Sequence, residues 1–345
     1  MIVFVIAGGS GTRLWPLSTH EFPKHLLKLT NENSLLQNTI NRVEKVTSTD
    51  KIFVISEVSH VAHVKEQLSE LPKDNILAEP GRRGTASCIA WALSEVKKRK
   101  LDPNEPVLFL WADSLIRNND GFAASALKAG QVAADEKKIV FIGAEPTYAS
   151  TGFGYMKKSK PVNGWQGIYE LEAFVEKPDK KTADKYFDSG DYLWNMGYMV
   201  GTLRDFEKEF TDNAPDMLDR YTKLCGVKDI DGVYESFESV AVDYAFSEKL
   251  TDALVLHGTF DWMDIGSFGD LHDVSLQDDS GNHIHGSSVE LESTTNSYIR
   301  NETDVPVAVI GLDNVVVVNT VNGVLVTNKN YSQKVGDVAK RLQGK

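Results

Sequence analysis

The sequence predicts an α/β protein: a mixed, mostly parallel sheet flanked by helices, followed by a small β domain. Three observations carry this. A β-branched apolar run, Ile2 to Ile6, stops at Ala7-Gly8-Gly9-Ser10-Gly11-Thr12-Arg13. Short, continuous runs of this kind, bounded by glycine, fit the core of a parallel sheet. Strand-like and helix-like segments then alternate through the first two thirds, which is the order of βαβ units. After about Gln277 the chain changes to short strands separated by turn residues.

The elements follow in order. Residues 51–55 read as a second strand and 59–71 as a helix. A helix over about 85–98 precedes a strand over 105–110 with Trp111, and 121–135 is an alanine-rich helix. Residues 138–142 form another buried strand, the pattern turns antiparallel over 164–175, and 187–202 is aromatic and glycine-containing. Residues 203–256 read as helical, most clearly at 205–210 and 242–250. Asp278-Asp279-Ser280-Gly281-Asn282 is a linker, so the domains are placed at 1–276 and 277–345. The second contains strands over 287–292, 297–301, 305–310, 315–319 and 323–327, closed by a helix over 331–342, with no internal repeat strong enough to claim.

A chain of 345 residues with net charge −12 is long enough for a large core. The acidic balance argues against nucleic-acid binding, which needs basic patches. Cys88 and Cys225 have no metal-type spacing and read as free thiols of a reducing compartment, the cytoplasm. No apolar run approaches the ~18 residues that a membrane span requires.

The glycine loop is the first candidate site. Glycines let a ligand approach the backbone, and successive N–H groups cradle anions. Arg13 and Lys24 add two positive charges, so the outline is that of a triphosphate site. A P-loop string is absent, and a dinucleotide fingerprint fails because Leu14 stands where its third glycine belongs.

Two carboxylates are the next candidates. Asp113 ends Val107-Leu108-Phe109-Leu110-Trp111-Ala112-Asp113, and Asp264 sits in Trp262-Met263-Asp264-Ile265-Gly266. Each has a plain structural reading, Asp113 as a helix cap and Asp264 as a turn residue. Together they fit a Mg²⁺ ion, which uses few protein carboxylates and keeps waters and substrate phosphates. Glu79-Pro80-Gly81-Arg82-Arg83-Gly84-Thr85 opens a helix whose backbone donors could face an anion or a base edge. Arg82 reads as a surface charge. Glu176-Lys177-Pro178 is either a surface ion pair or a site for a sugar phosphate and its hydroxyls. Gly154-Tyr155 and Asn195 are companions suited to hydroxyl readout. The histidine pairs His60/His63 and His283/His285 carry no catalytic set, and no nucleophile elbow is present.

The whole string from Gly8 through Arg13-Leu14-Trp15-Pro16-Leu17-Ser18 to Phe22-Pro23-Lys24 resembles the signature of sugar-nucleotide pyrophosphorylases, in the form of the mannose-1-phosphate guanylyltransferase branch. The resemblance covers nearly the whole chain, including the tail from Asn296 to Val326. It implies a Rossmann-like nucleotidyltransferase domain and a left-handed β-helix-like C-terminal domain. The implied reaction takes GTP and mannose 1-phosphate to GDP-mannose and diphosphate, with Mg²⁺ on Asp113 and Asp264. Arg13 and Lys24 join these aspartates as catalytic residues. The nucleotide falls to Ala7, Gly8, Gly9, Gly11, Thr12, Arg13, Glu79, Gly84 and Thr85, and the sugar phosphate to Gly154, Tyr155, Glu176, Lys177 and Asn195. A homodimer is implied, with neither nucleic acid nor membrane as partner, and without the isomerase domain of longer relatives. The chain departs from the family pattern at Gly84 (Asn), Ser87-Cys88 (Pro-Ala), Ser114 (His), Met196 (Ser) and Ala241 (Ser). These departures leave two other readings open: a transferase for another base or hexose, and a silent sugar-nucleotide sensor.

Overall fold

A computed structural model describes residues 1–9 and 11–342. Its strands are β1 (Ile2–Ala7), β2 (Ile52–Glu57), β3 (Ile76–Glu79), β4 (Pro106–Trp111), β5 (Ser114–Leu115), β6 (Val140–Ala144), β7 (Gly154–Pro161), β8 (Ile168–Val175), β9 (Tyr192–Thr202), β10 (Leu254–His257), β11 (Met263–Asp264), β12 (His283–His285), β13 (Val289–Glu292), β14 (Tyr298–Asn301), β15 (Val307–Ile310), β16 (Val315–Thr320) and β17 (Gly323–Asn328). The helices are α1 (Leu35–Val43), α2 (Val61–Gln67), α3 (Gly84–Lys98), α4 (Asn119–Glu136), α5 (Lys180–Ser189), α6 (Leu203–Asn213), α7 (Pro215–Cys225), α8 (Asp231–Glu235), α9 (Val242–Ala245), α10 (Phe268–Val274) and α11 (Val335–Leu342). Among the described residues, no helix is long and apolar enough to cross a membrane.

Contacts divide the chain into two compact units. The first holds Met1–Ala7, Ile40–Trp111 and Ile116–Trp262; the second holds Gly8–Thr39, Ala112–Leu115 and Met263–Lys345.

The first unit is built on a nine-stranded sheet of order β3-β2-β1-β4-β9-β6-β10-β8-β7. β1 pairs in parallel with β2 and with β4, which explains why its six residues are all buried. β9 runs antiparallel between β4 and β6 and makes the sheet mixed. Phe4 stacks on Phe53 and Phe109, with ring centroids 5.0 and 5.6 Å apart, in a core that also takes in α3 from Ala86 to Val96. The helical reading of 203–256 fails at its end. Leu254–His257 is β10, parallel to β6 and antiparallel to β8. Three consecutive apolar residues, Leu254-Val255-Leu256, show no period, so a short buried strand cannot be told from a helix segment by pattern alone.

The second unit contains the C-terminal strands. β12, β14 and β16 form one parallel ladder, closed by antiparallel β17, and β13 and β15 form another. Successive strands alternate between the two ladders, the winding of a β-helix. Its period is visible in the side chains. Thr295 donates to Asp313, and Asn319 to Asn301, each over a separation of 18 residues. The sequence shows no such repeat because only these few polar rungs recur, while the inward residues vary among Tyr298, Val316 and Val318. Asp264, expected in a turn, lies in β11, whose two residues pair with β5.

Candidate active site

In the second unit, Lys24 is buried and Gly11 makes room for it. Gly11 adopts φ 56°, and a Cβ there would come within 2.5 Å of the Lys24 Cβ. The Lys24 ammonium donates to Asp113 Oδ2 at 3.1 Å and to Asp264 Oδ1 at 2.8 Å. Burial opposes the lysine's charge, but the two carboxylates outweigh it and hold its pKa above the ordinary value. Both carboxylates remain partly open, their side chains 37% and 28% exposed. Their spacing is set by main chain: Asp264 faces Ser114 in the β5–β11 ladder, and Asp113 is the residue just before. The departure at Ser114 therefore falls on a buried ladder position.

The two aspartates present oxygens to one point where a cation, the lysine ammonium, already sits. That donor set suits a hard divalent ion. Among the described residues, no group of three or more His, Cys, Asp or Glu is arranged to hold a metal.

Gly8 and Gly9 are exposed, Gly9 at φ 94°, and among the described residues nothing lies within 4 Å of where a Cβ would stand on either. Thr12 and Arg13 lie on a single 3-10 turn. Arg13 is exposed, donates to Gln333 Oε1 at 3.1 Å, and has Gly266 and Gly336 beside it. Ala7 is fully buried at the end of β1.

The first unit carries the other expected residues. Glu79 ends β3 and is buried; its Oε1 accepts from the Tyr234 hydroxyl at 2.6 Å and the Cys88 thiol at 3.2 Å. Burial raises the Glu79 pKa, against the pull of those two donors. The amino end of α3 is closed by the segment before α9. Ala86 N–H donates to Val240 O at 3.1 Å, and Thr85 Oγ1 accepts from Val242 N–H at 2.7 Å. Gly84 stands at φ 75°, with the Val240 backbone where a Cβ would be. These bonds use the Ala86 N–H and the Thr85 hydroxyl, which are not the Gly84 and Thr85 backbone donors expected from the sequence. Arg82 pairs with Glu57 at 2.7 Å on the surface.

Glu176 follows β8 with its side chain 6% exposed, and Lys177 reaches back to its Oε1 at 2.8 Å. Lys177 takes φ 47°, a turn that directs the chain toward Pro178. Glu176 Oε2 is buried with no hydrogen-bond partner among the described residues. It lies where a side chain on Gly154 would otherwise be, so the glycine makes room for that oxygen. Asn195 donates to Asp243 at 2.9 Å and accepts from Gly197 N–H at 2.8 Å. Tyr155, expected to touch the sugar, is fully buried instead, its hydroxyl donating to Ser150 O at 2.9 Å. Alternation along β7 turns it away from the face that Gly154 occupies.

A family profile described as Nucleotidyl transferase matches residues 2–281, and one described as MannoseP isomerase/GMP-like beta-helix domain matches 286–342. An Escherichia coli protein named mannose-1-phosphate guanylyltransferase is 33% identical over 99% of this chain and 75% of its own length. The xanthan biosynthesis protein XanB of Xanthomonas campestris is 36% identical over 99% of this chain and 73% of its own. A Thermus thermophilus structure named mannose-1-phosphate geranyltransferase superposes with TM-score 0.89 at 27% identity, covering 99% of both chains. The chain belongs to the mannose-1-phosphate guanylyltransferase family of nucleotidyl transferases.

Three departures from that family's pattern converge on one segment of this chain. Gly84 packs on Val240. Ser87 accepts from Arg220 Nη1 at 2.7 Å, and Arg220 Nη2 donates to Glu238 O at 2.9 Å. Cys88 shares Glu79 with Tyr234, 3.4 Å from its sulfur. Sequence reasoning missed Tyr234 and Arg220, which lie 155 and 133 residues from their partners with no motif around them.

Proposed function

We propose that the chain catalyses GTP + α-D-mannose 1-phosphate → GDP-mannose + diphosphate. The observation that carries this is the meeting of Lys24, Asp113 and Asp264. An oxygen of the sugar phosphate attacks the α-phosphorus, the bond to the β-phosphate breaks, and diphosphate leaves with the electron pair. The nucleophile is already anionic near neutral pH, so the chain's task is positioning and charge neutralisation.

Asp113 and Asp264 would hold a divalent ion, in this reading Mg²⁺, with water and phosphate oxygens completing its shell. Bound there, the ion supplies Lewis-acid polarisation and neutralises phosphate charge. Lys24 balances the carboxylate pair and adds a fixed positive charge for the triphosphate. Arg13 and the N–H groups around Gly8, Gly9, Gly11 and Thr12 bind the same phosphates. Glu79 accepts from the guanine edge, with Gly84 and Thr85 shaping the helix start beside it. Lys177 binds the incoming phosphate, while Glu176, Asn195 and the Gly154 backbone read hydroxyls.

The same reading keeps residues 1–276 as the catalytic domain and 277–345 as an accessory β domain. It places a homodimer in the cytoplasm. Support for the compartment is the pair of free cysteines, and for the dimer the exposed Ile310, Val324 and Val326 of the β domain. Light scattering of the purified chain tests the dimer. The reaction is tested by diphosphate release across four nucleoside triphosphates and several hexose 1-phosphates. The reading expects the GTP–mannose 1-phosphate pair to give the highest kcat/KM. A different best pair would reassign the substrates, and binding without turnover would make the chain a sensor.

A further inference from the structure

We propose that Asp243 is a positioning residue of the sugar-phosphate subsite, its carboxylate fixing the Asn195 side chain through a charge-assisted hydrogen bond. The inference rests on the assignment of Asn195 to the sugar. Asn195 is held at both ends: its Nδ2 donates to Asp243 Oδ1 at 2.9 Å, and its Oδ1 accepts from Gly197 N–H at 2.8 Å. The Oδ1 end is locked on the Gly197 side. Gly197 sits at φ 75° with the Trp111 indole where a Cβ would be. Main chain therefore fixes the acceptor end of the amide, and Asp243 fixes the donor end.

Asp243 is itself anchored. It follows Val242, whose N–H donates to Thr85 Oγ1 at 2.7 Å, so the start of α9 is tied to the start of α3. The charged groups around Asp243 are Glu176 and Lys177 at the end of β8. Glu248, after α9, accepts the Glu176 N–H at 2.9 Å. Tyr244 adjoins on its own element, and α3 contributes the neutral Thr85. Burial, and then the nearby Glu176, push the Asp243 carboxyl up to about 6. Above that pH the acceptor is an anion and the bond is charge-assisted; as pH falls through 6 the charge is lost and the bond weakens. Hydrogen bonds to ionised acceptors are roughly twice as strong as neutral ones.

The test measures KM for mannose 1-phosphate and for GTP from pH 5 to 8, in the full chain and in Asp243→Asn, Asp243→Ala and Asn195→Ala. Comparing variant with wild type at each pH cancels the substrate's own ionisation. The KM ratio of Asp243→Asn to wild type for mannose 1-phosphate should be about fivefold at pH 8 and fall to one near pH 5. Asp243→Ala should exceed Asp243→Asn at pH 8, and GTP KM should stay within twofold in both. A ratio that does not change with pH, or GTP KM rising in step, would overturn the role of Asp243. If Asp243→Ala does not fold, the Asn variant's pH profile decides alone. The sugar assignment fails separately, if Asn195→Ala leaves KM for mannose 1-phosphate unchanged.

Discussion

The Lys24–Asp113–Asp264 cluster and the amino end of α3 hold their shapes by different means. The cluster is a balance of charges: one buried ammonium against two half-open carboxylates. The helix end is a matter of volume. Gly84 lies against the Val240 backbone, and Ala86 and Thr85 are hydrogen-bonded to the same segment. The first region should tolerate changes of shape better than changes of charge, and the second the reverse. Isosteric and non-isosteric substitutions separate the two.

The largest effect is expected from removing charge without volume. Asp113→Asn and Asp264→Asn should melt within a few degrees of wild type but lose roughly 100-fold or more in kcat, the scale of one preorganised electrostatic element. EDTA should stop the wild-type reaction and Mg²⁺ restore it. Near-normal turnover of both variants at saturating Mg²⁺ would dissolve the two-carboxylate site.

Adding volume to the other region comes next. Gly84→Asn would restore the residue that the family pattern carries, and Asn tolerates positive φ better than most residues. The collision with Val240 remains, so the variant should lose about 2–4 kcal/mol of stability, as overpacked sites do. Chemical denaturation reads this directly. An unchanged midpoint would show that the Val240 segment yields easily.

A smaller pair of effects divides the two lysines. Lys177→Ala should raise KM for mannose 1-phosphate about tenfold, the loss of one charged hydrogen bond, whereas Lys24→Ala should chiefly depress kcat. Steady-state kinetics with each substrate varied would reveal exchanged phenotypes if the two phosphate sites are reversed. Least of all, Tyr234→Phe should lower the preference for GTP over ATP by roughly fivefold through a looser Glu79. An unaltered ratio would mean that Cys88 suffices to hold it.

What the sequence disclosed follows the same division. Local patterns marked β1, the glycine loop, α3, α4 and the C-terminal strands, because periodicity and turn residues act over a few positions. Singly, Asp113 and Asp264 read as a cap and a turn residue; only as a pair do they suggest a metal site. Their shared partner is not legible: Lys24 lies 89 and 240 residues away, and nothing in Phe22-Pro23-Lys24 distinguishes a lysine facing phosphates from one facing carboxylates. The antiparallel insertion of β9, the strand character of β10 and the grip of Tyr234 on Glu79 depend on pairings that no local window contains. Tyr155 has the motif neighbours of a sugar contact, whereas its place on β7 puts its side chain in the core, which no local pattern shows.

The second unit is assembled from three separate stretches, and each brings one member of the ionic cluster: Lys24 from Gly8–Thr39, Asp113 from Ala112–Leu115, Asp264 from Met263–Lys345. A chain emerging from the ribosome makes its amine first and its last carboxylate 240 residues later. At 5–20 residues per second, that interval is roughly 12–50 s. Throughout it the β1 sheet can begin to form, while the chemistry has no complete centre. If this cluster is the catalytic centre proposed above, incomplete chains are silent: a nascent protein consumes no nucleotide until the stretch that also winds the β-helix has been made.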